Sequence, residues 1–385
     1  MIATNSSATE LLRPGSIREI LRSPGPCITM LLPPYRPGEP AGSPATLLKS
    51  YIQEAARQLV ERKVSKSASS DLLKPLEHLT EDPALVSGSH WGRAIFRSAT
   101  VFEQFQLTQP VQASFSVSGS FAIRKLAGEL ARPLAFYILA LSKTKVSLLR
   151  CVGLHAELAN LPSGVPDTLE EAMAFKAPDH DLENRSAAGS STGAMHSVRF
   201  GTGSGRETKH AHLGDFYKLV DRGLQELLRG PDTPLILAGV DEDIATYRCV
   251  STYRDLIKNS IPGGADILRE QGEMLQRAYA ILRVDGHERH AFALKTEKEH
   301  YAPARFSADL DTVLRAAFEG RVAELYVAES AQRIDVFERG AYRSWGAEDL
   351  LNLAAVQTII HHGKSYELPI EMMPDRSIAI GILRF

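Results

Sequence analysis

Residues able to do chemistry crowd into one stretch of this sequence, MHSVRFGTGSGRETKHAH, which ends at His212. Glycines at 201, 203 and 205 would let backbone amides approach a phosphate at a helix N-terminus. A dinucleotide fingerprint, however, needs a strand directly before it, a helix opening within the glycines, and an acid about 20 positions on. Here the helical pattern is expected only from about Leu213, and Asp241, the first acid after the next strand, stands 40 residues from Gly201. No GxxxxGK[ST] loop occurs. His196, His210 and His212 offer imidazoles, and a His-x-His pair can ligate zinc, but such a site needs a third ligand on a rigid frame. A serine nucleophile would require GxSxG. Ser204 lies between Gly203 and Gly205, but residues 202 and 206 are Thr and Arg, so that pattern fails.

Other constellations have plainer explanations. His287 with His290 is a weak metal pair, and His361 with His362 suits a helix end. Asp241, Glu242 and Asp243 follow a strand, and Asp241 or Asp243 is expected to cap the next helix. What survives is a flexible, glycine-rich loop over 186–212. In it Arg199, Arg206, Lys209 and three histidines face a single acid, Glu207. Cations on a flexible backbone suit phosphate-rich surfaces, because each neutralised phosphate releases counterions. A solvated loop with no partner has the same composition.

The elements that must position this loop are legible from periodicity. Ser16 and Glu19 form a capping box for a short helix. CITMLL (27–32) has the length and composition of a strand. Apolar residues at four-residue spacing from Leu47 to Leu59 predict a helix from Pro44 to about Val64. DLLKPLEHL is a second helix, kinked or broken at Pro75. Residues 93–121 alternate as strands. Leu134–Leu141 and Val146–Val152 form a hairpin around Ser-Lys-Thr-Lys. After the loop come a helix with an apolar face from Leu213 to Leu228, a strand at Pro234–Val240 and a helix over DIATYRCVSTYRDLI. Beyond Pro262-Gly263-Gly264 the pattern predicts a helix over DILREQGEMLQRAYAIL, a polar stretch and a helix from about Ser307. Strands at Val322–Ala328 and near Ile334 follow, then a helix over 347–361 capped by Gly363, and closing strands SYELP and SIAIGILRF.

The 385 residues exceed a typical domain by more than twofold, and 44% hydrophobic with 23% charged residues lies in the ordinary globular range. Breaks near 128 and 262 divide the chain into three mixed α/β parts, 1–128, 129–262 and 263–385. They carry 14 basic against 10 acidic residues, 15 against 17, and 15 against 19. The net charge of minus 2 therefore conceals a mildly basic first part. Non-specific attraction to DNA is not expected of such a chain. Three scattered cysteines, Cys27, Cys151 and Cys249, make neither a disulfide framework nor a metal knuckle. With no signal-peptide layout and no apolar run long enough to span a membrane, a cytoplasmic protein is expected.

Together, CITMLLPPYRPGEP with the long helix after it, RPLAFYILALSKTKVSLLRC, LGDFYKLVDRGLQELLRGPDTPLILAGVDEDIATYRCVSTYRDL, VAELYVAE and GKSYELPIEMMPDRSIAIGILRF give a layout similar to a known family. It resembles the bacterial branch of the archaeo-eukaryotic peptide-chain release factor and Pelota superfamily. The resemblance implies three consecutive α/β domains: an N-terminal domain, a middle domain bearing the glycine-rich loop, and a C-terminal α/β/α sandwich similar to kink-turn-binding ribosomal proteins.

Release factors carry Gly-Gly-Gln at the tip of the middle-domain loop, where the glutamine helps position water at the peptidyl ester. Here residues 186–212 contain no Gln, and the only Gly-Gly pair, Gly263-Gly264, precedes Ala265. The Asn-Ile-Lys-Ser codon-reading motif is also absent. The resemblance thus implies a ribosome-associated factor in rescue, stalling or hibernation rather than a peptidyl-tRNA hydrolase, with no intact catalytic motif and no cofactor or metal. It implies that Arg199, Arg206 and Lys209 contact RNA phosphates, that Gly201, Gly203 and Gly205 supply flexibility, and that the third domain docks a translational GTPase or the ribosomal stalk base. The competing expectation is an enzyme or a small-ligand or metal-binding protein with the His-bearing loop as a lid.

Overall fold

The computed structural model describes residues 10–34, 43–82, 91–108, 111–131, 135–174, 204–228, 233–263, 271–301, 305–339 and 342–384. They form a mixed α/β protein with several sheets, divided into two compact units. One comprises Met1–Arg132 with Tyr279–Phe385, the other Pro133–Ala278.

In the first unit, β1 (Glu10–Leu11), β4 (Phe102–Leu107), β3 (Gly92–Arg97), β2 (Cys27–Leu32) and β5 (Ser114–Ser118) make a sheet in that order. Every residue of β2 is buried, as an unbroken apolar run demands when both faces of a strand are covered. Ile28, Met30 and Leu32 pack with Leu48, Ile52 and Leu59 of α2 (Pro44–Glu61) and Leu72, Leu73 and Leu76 of α3 (Lys66–Leu79). Cys27 and Leu31 point to the opposite face. There they share a core with α1 (Pro14–Leu21), α9 (Leu310–Phe318) and α10 (Leu350–Ile360).

That same core is closed by Val322, Leu325, Val327, Ala379 and Leu383 of a second sheet, ordered β11 (Phe306–Ser307), β18 (Ala379–Leu383), β12 (Val322–Ala328), β17 (Lys364–Leu368). Helix α10 is thus sandwiched between sheets, and nine of its eleven residues are buried. Its sequence LLNLAAVQTII is accordingly apolar on all sides. The far face of the second sheet, with Tyr326, Tyr366, Leu368 and Ile380, packs with Leu294 of α8 (Gln271–Tyr301). Two short ribbons, β13 (Ile334–Asp335) with β16 (Glu348–Asp349) and β14 (Glu338–Arg339) with β15 (Tyr342–Arg343), complete this unit.

Polar contacts join the two sequence-distant parts of this core. Arg124, in the 3-10 turn Arg124–Leu126 before α4 (Ala127–Ala131), donates to Asp349 at 2.7 Å, to Glu367 at 3.2 Å and to the Ala328 carbonyl at 3.1 Å. The Asn352 side chain accepts from the Ile123 amide and donates to the Phe121 carbonyl. Buried Glu348 accepts from the Ser120 and Tyr342 hydroxyls. Arg62 stacks over Trp345, 4.8 Å from the ring centre. Burial pushes the Cys27 thiol up to about 12, so it stays protonated and unreactive.

The second unit is built on β10 (Leu256–Pro262), β9 (Leu235–Gly239), β6 (Ala135–Leu141), β7 (Val146–Val152) and β8 (His155–Ala159) in that order. β6, β9 and β10 run parallel, while β6, β7 and β8 form an antiparallel meander. Leu139, Leu148, Leu235 and Leu237 pack with Ile244 and Tyr247 of α7 (Asp241–Val250) and with Leu213, Phe216, Val220 and Leu224 of α6 (Ser204–Leu227). Ala172 of α5 (Leu169–Ala174) joins the same core.

Several local expectations are corrected. Helix α1 begins at Pro14, with Arg13 as N-cap and no side-chain cap, because proline suits the first turn; Ser16 is already inside. Helix α3 continues through Pro75. Proline cannot donate to the carbonyl four residues back, and Arg97 of β3 takes over, donating to the Asp71 and Leu72 carbonyls at 2.7 and 3.1 Å. Helix α7 ends at Val250, and Leu256–Pro262 is the strand β10 rather than helix. Val240 is the N-cap of α7, with Asp241, Glu242 and Asp243 in the first turn, where the macrodipole favours them.

The polar stretch after Leu282 is helical to Tyr301. At the end of α10, His362 and not Gly363 takes the left-handed turn, at φ 64°. Gly363 is required for closeness instead, since a Cβ there would lie 2.7 Å from the Val322 carbonyl oxygen.

Candidate functional site

Helix α6 starts at Ser204, nine residues earlier than its apolar periodicity indicates. The glycine string therefore runs directly into a 24-residue helix, and Gly205, Arg206 and Lys209 occupy its first two turns. Arg199, Gly201, Gly203 and His196 lie outside the described residues. His212 is half-buried beside the first buried anchor, Leu213.

Anchoring begins there and uses more than apolar side chains. Phe216, Tyr217, Val220 and Leu224 are wholly buried on one face of α6. Tyr217 donates to the Ser142 carbonyl at 3.2 Å, tying the helix to the turn between β6 and β7. Asp221, 2% exposed, lies on this apolar face and collects donors from the end of α7 and one from its own helix. The Ser251 hydroxyl donates to it at 2.6 Å, the Tyr247 hydroxyl at 3.1 Å, the Thr252 amide at 3.0 Å and the Gln225 side chain at 2.9 Å. Burial, and then the Asp221 carboxylate, hold the Tyr247 phenol far above its ordinary range, so it remains a donor. Asp221 was missed in the sequence; its signal is a carboxylate four residues after Tyr217 in the 213–228 stripe.

Close approach sets a second constraint on α6. A Cβ built on Gly223 would lie 2.1 Å from Cγ2 of Val165. Gly223→Val should lower the stability of this unit by about 1–3 kcal/mol through overpacking. Chemical denaturation followed by circular dichroism measures it, and Val165→Ala in the same chain should restore part of the loss.

At the C-terminal ends of β6 and β9, Lys143 pairs with Glu242 at 2.7 Å on the surface. Asp243 beneath them is raised above the usual carboxylate range by burial, against the pull of Lys143. Among the described residues, no group of three His, Cys, Asp or Glu side chains could hold a metal ion. Among them, too, no helix is long and apolar enough to cross a membrane. The described arrangement is a buttressed helix whose N-terminal turns follow a basic, glycine-rich segment. The positive end of the macrodipole makes such a terminus suited to anionic groups.

Residues 135–321 match the family described as bacterial archaeo-eukaryotic release factor family 3. Among solved structures, the archaeal translation termination factor aRF1 is similar at 14% identity, covering 97% of this chain and 99% of its own, with a TM-score of 0.23. Archaeoglobus fulgidus Pelota is similar at 13% identity over 77% of this chain and 80% of its own, with a TM-score of 0.37. S. cerevisiae Dom34, a translation termination-like factor interacting with Hbs1, is similar at 9% identity over 77% and 80%, with a TM-score of 0.31. No curated protein matches the chain. The stretch that matches the bacterial archaeo-eukaryotic release factor family contains β6 to β10, the glycine string and the whole of α6.

Proposed function

We propose that this release-factor-like protein is a ribosome-associated factor acting in rescue, stalling or hibernation, and that it does not itself release peptide. The observation that carries the reading is the junction at Ser204, where a segment bearing Arg199, Gly201 and Gly203 is followed by a long helix with Gly205, Arg206 and Lys209 in its first turns. The match of residues 135–321 to a release-factor family supports an RNA surface as the source of the phosphates. The absence of Gln from residues 186–212 argues against hydrolysis of a peptidyl ester. In this reading residues 129–262 are the middle domain that reaches the ribosome. Residues 263–385 are an α/β/α sandwich that docks a translational GTPase or the ribosomal stalk base.

Sedimentation of the tagged protein with ribosomes, from growing and from starved cells, at low and moderate salt, tests this. Co-sedimentation that weakens with salt is expected; none in either state would overturn the proposal. Replacing Arg199, Arg206 and Lys209 together by Ala should reduce the slope of log affinity against log salt by about 0.7–0.9 for each phosphate that is no longer neutralised. An unchanged slope would remove these residues from the interface.

A further inference from the structure

The face that α8 turns toward β12 and β17 is not wholly apolar. His287, His290 and Leu294 follow one another at i, i+3 and i+7 on that face. The His290 ring lies 3.8 Å, centre to centre, from Tyr366 and 6.0 Å from Tyr326, and the two tyrosines stack on each other at 5.1 Å. Tyr326 is 1% exposed and Tyr366 8%. The Tyr326 hydroxyl donates to Glu324 at 2.7 Å, which commits part of that carboxylate. His287, its side chain 16% exposed, lies 3.9 Å from Glu329 just beyond β12, too far for a hydrogen bond.

The charges facing these rings oppose one another. Glu324 of β12 favours a protonated His290, while Lys364 of β17, with Arg289 and His287 of α8, disfavours it. Glu329 favours a protonated His287, and Arg283 disfavours it. Desolvation is the largest influence on both, and it places both imidazoles below the ordinary histidine range. At neutral pH two uncharged rings hold the middle of α8 to the sheet.

We propose that this contact is a proton-sensitive latch, in which uptake of protons by His287 and His290 loosens the middle of α8 from β12 and β17. A group whose folded pKa lies below its unfolded value binds fewer protons in the native state. The stability it contributes is present above the unfolded value of 6.5 and is lost as pH falls below it. Glu367 nearby works in the opposite sense. Burial raises it to about 6, so the native state holds its proton longer and gains stability as pH falls through that window. A global melting temperature mixes the two effects, whereas local exchange separates them.

Hydrogen exchange of the full chain at pH 7.5 and 5.5, corrected for the intrinsic chemical rate, tests the latch. Protection over 283–294 should fall on acidification, by about fivefold for each proton whose pKa is lowered by one unit. Protection over α10 should hold. His287→Gln with His290→Phe keeps the stacking and removes both protons, and it should abolish the pH response of α8. Unchanged α8 protection in the native chain, or the native pH response in the double variant, would overturn the latch. If the double variant fails to protect α10 at pH 7.5, histidine-selective NMR titration of the native chain decides: midpoints below 6.5 for His287 and His290 support the latch, and midpoints at or above 6.5 exclude it.

Discussion

Arg124→Met should cost the first unit about 3–5 kcal/mol, because it leaves Asp349 and Glu367 without the cation that compensates their burial. The guanidinium side chain is 9% exposed and reaches Ala328 as well as both carboxylates, so no solvent rearrangement replaces it. Methionine keeps most of the stem and so isolates the missing charge from any change in packing. Both tryptophans of the chain, Trp91 and Trp345, belong to this unit, and their fluorescence in a denaturant titration reports it alone.

The loss should depend on pH in a stated direction. Glu367 is raised to about 6 even with Arg124 in place. Without that cation its burial is opposed only by the weaker pull of Lys125, the carboxyl holds its proton to higher pH, and the penalty for a buried anion shrinks as pH falls. The variant should therefore be closer to wild type at pH 5.5 than at pH 7.5. Adding Asp349→Asn and Glu367→Gln should recover much of the loss at pH 7.5, since a buried charge set replaced as a whole is often nearly neutral. A variant as stable as the parent at both pH values would mean that these carboxylates are hydrated in solution.

What the sequence made legible follows from which residues had one task. CITMLL is buried on both faces and reads as a strand without ambiguity. Leu213 to Leu228 packs on one core and shows its stripe. The start of α6 was illegible because residues 204–212 carry no apolar repeat, so periodicity had nothing to detect before Leu213. The second half of α8 was hidden for a related reason: its contact face mixes His287 and His290 with Leu294, which imitates a polar loop. Pro75 misled because the partner that satisfies the freed carbonyls, Arg97, comes from a strand more than 20 residues away. The shared core of the first unit was likewise out of reach, since Phe121 meets Asn352 only through a contact spanning 231 positions. Of the candidate site, the composition of the glycine-rich stretch was readable, but its continuation into a helix and the carboxylate that anchors that helix were not.

That anchor makes the second large effect a test of how the site is held. Asp221→Ala removes the acceptor for the Ser251 and Tyr247 hydroxyls and for the Thr252 amide, and it should destabilise the second unit by about 3–5 kcal/mol. Asp221→Asn keeps the shape and one acceptor but turns a donor toward other donors, so an intermediate loss of about 1–3 kcal/mol is expected. Neither change touches a tryptophan-bearing region. The fluorescence transition should therefore stay in place while a second, earlier transition appears in circular dichroism. Because the hydrogen bonds of Asp221 fix α6 to the end of α7, under the proposed ribosome association the Asn variant should also weaken co-sedimentation without altering its salt slope, the charges on the first turns of α6 being intact. A slope that changed with Asp221→Asn would mean that the substitution also displaces the cations on the first turns of α6. An unchanged affinity beside a measured loss of stability would mean that the glycine-rich segment acts independently of the helix it opens.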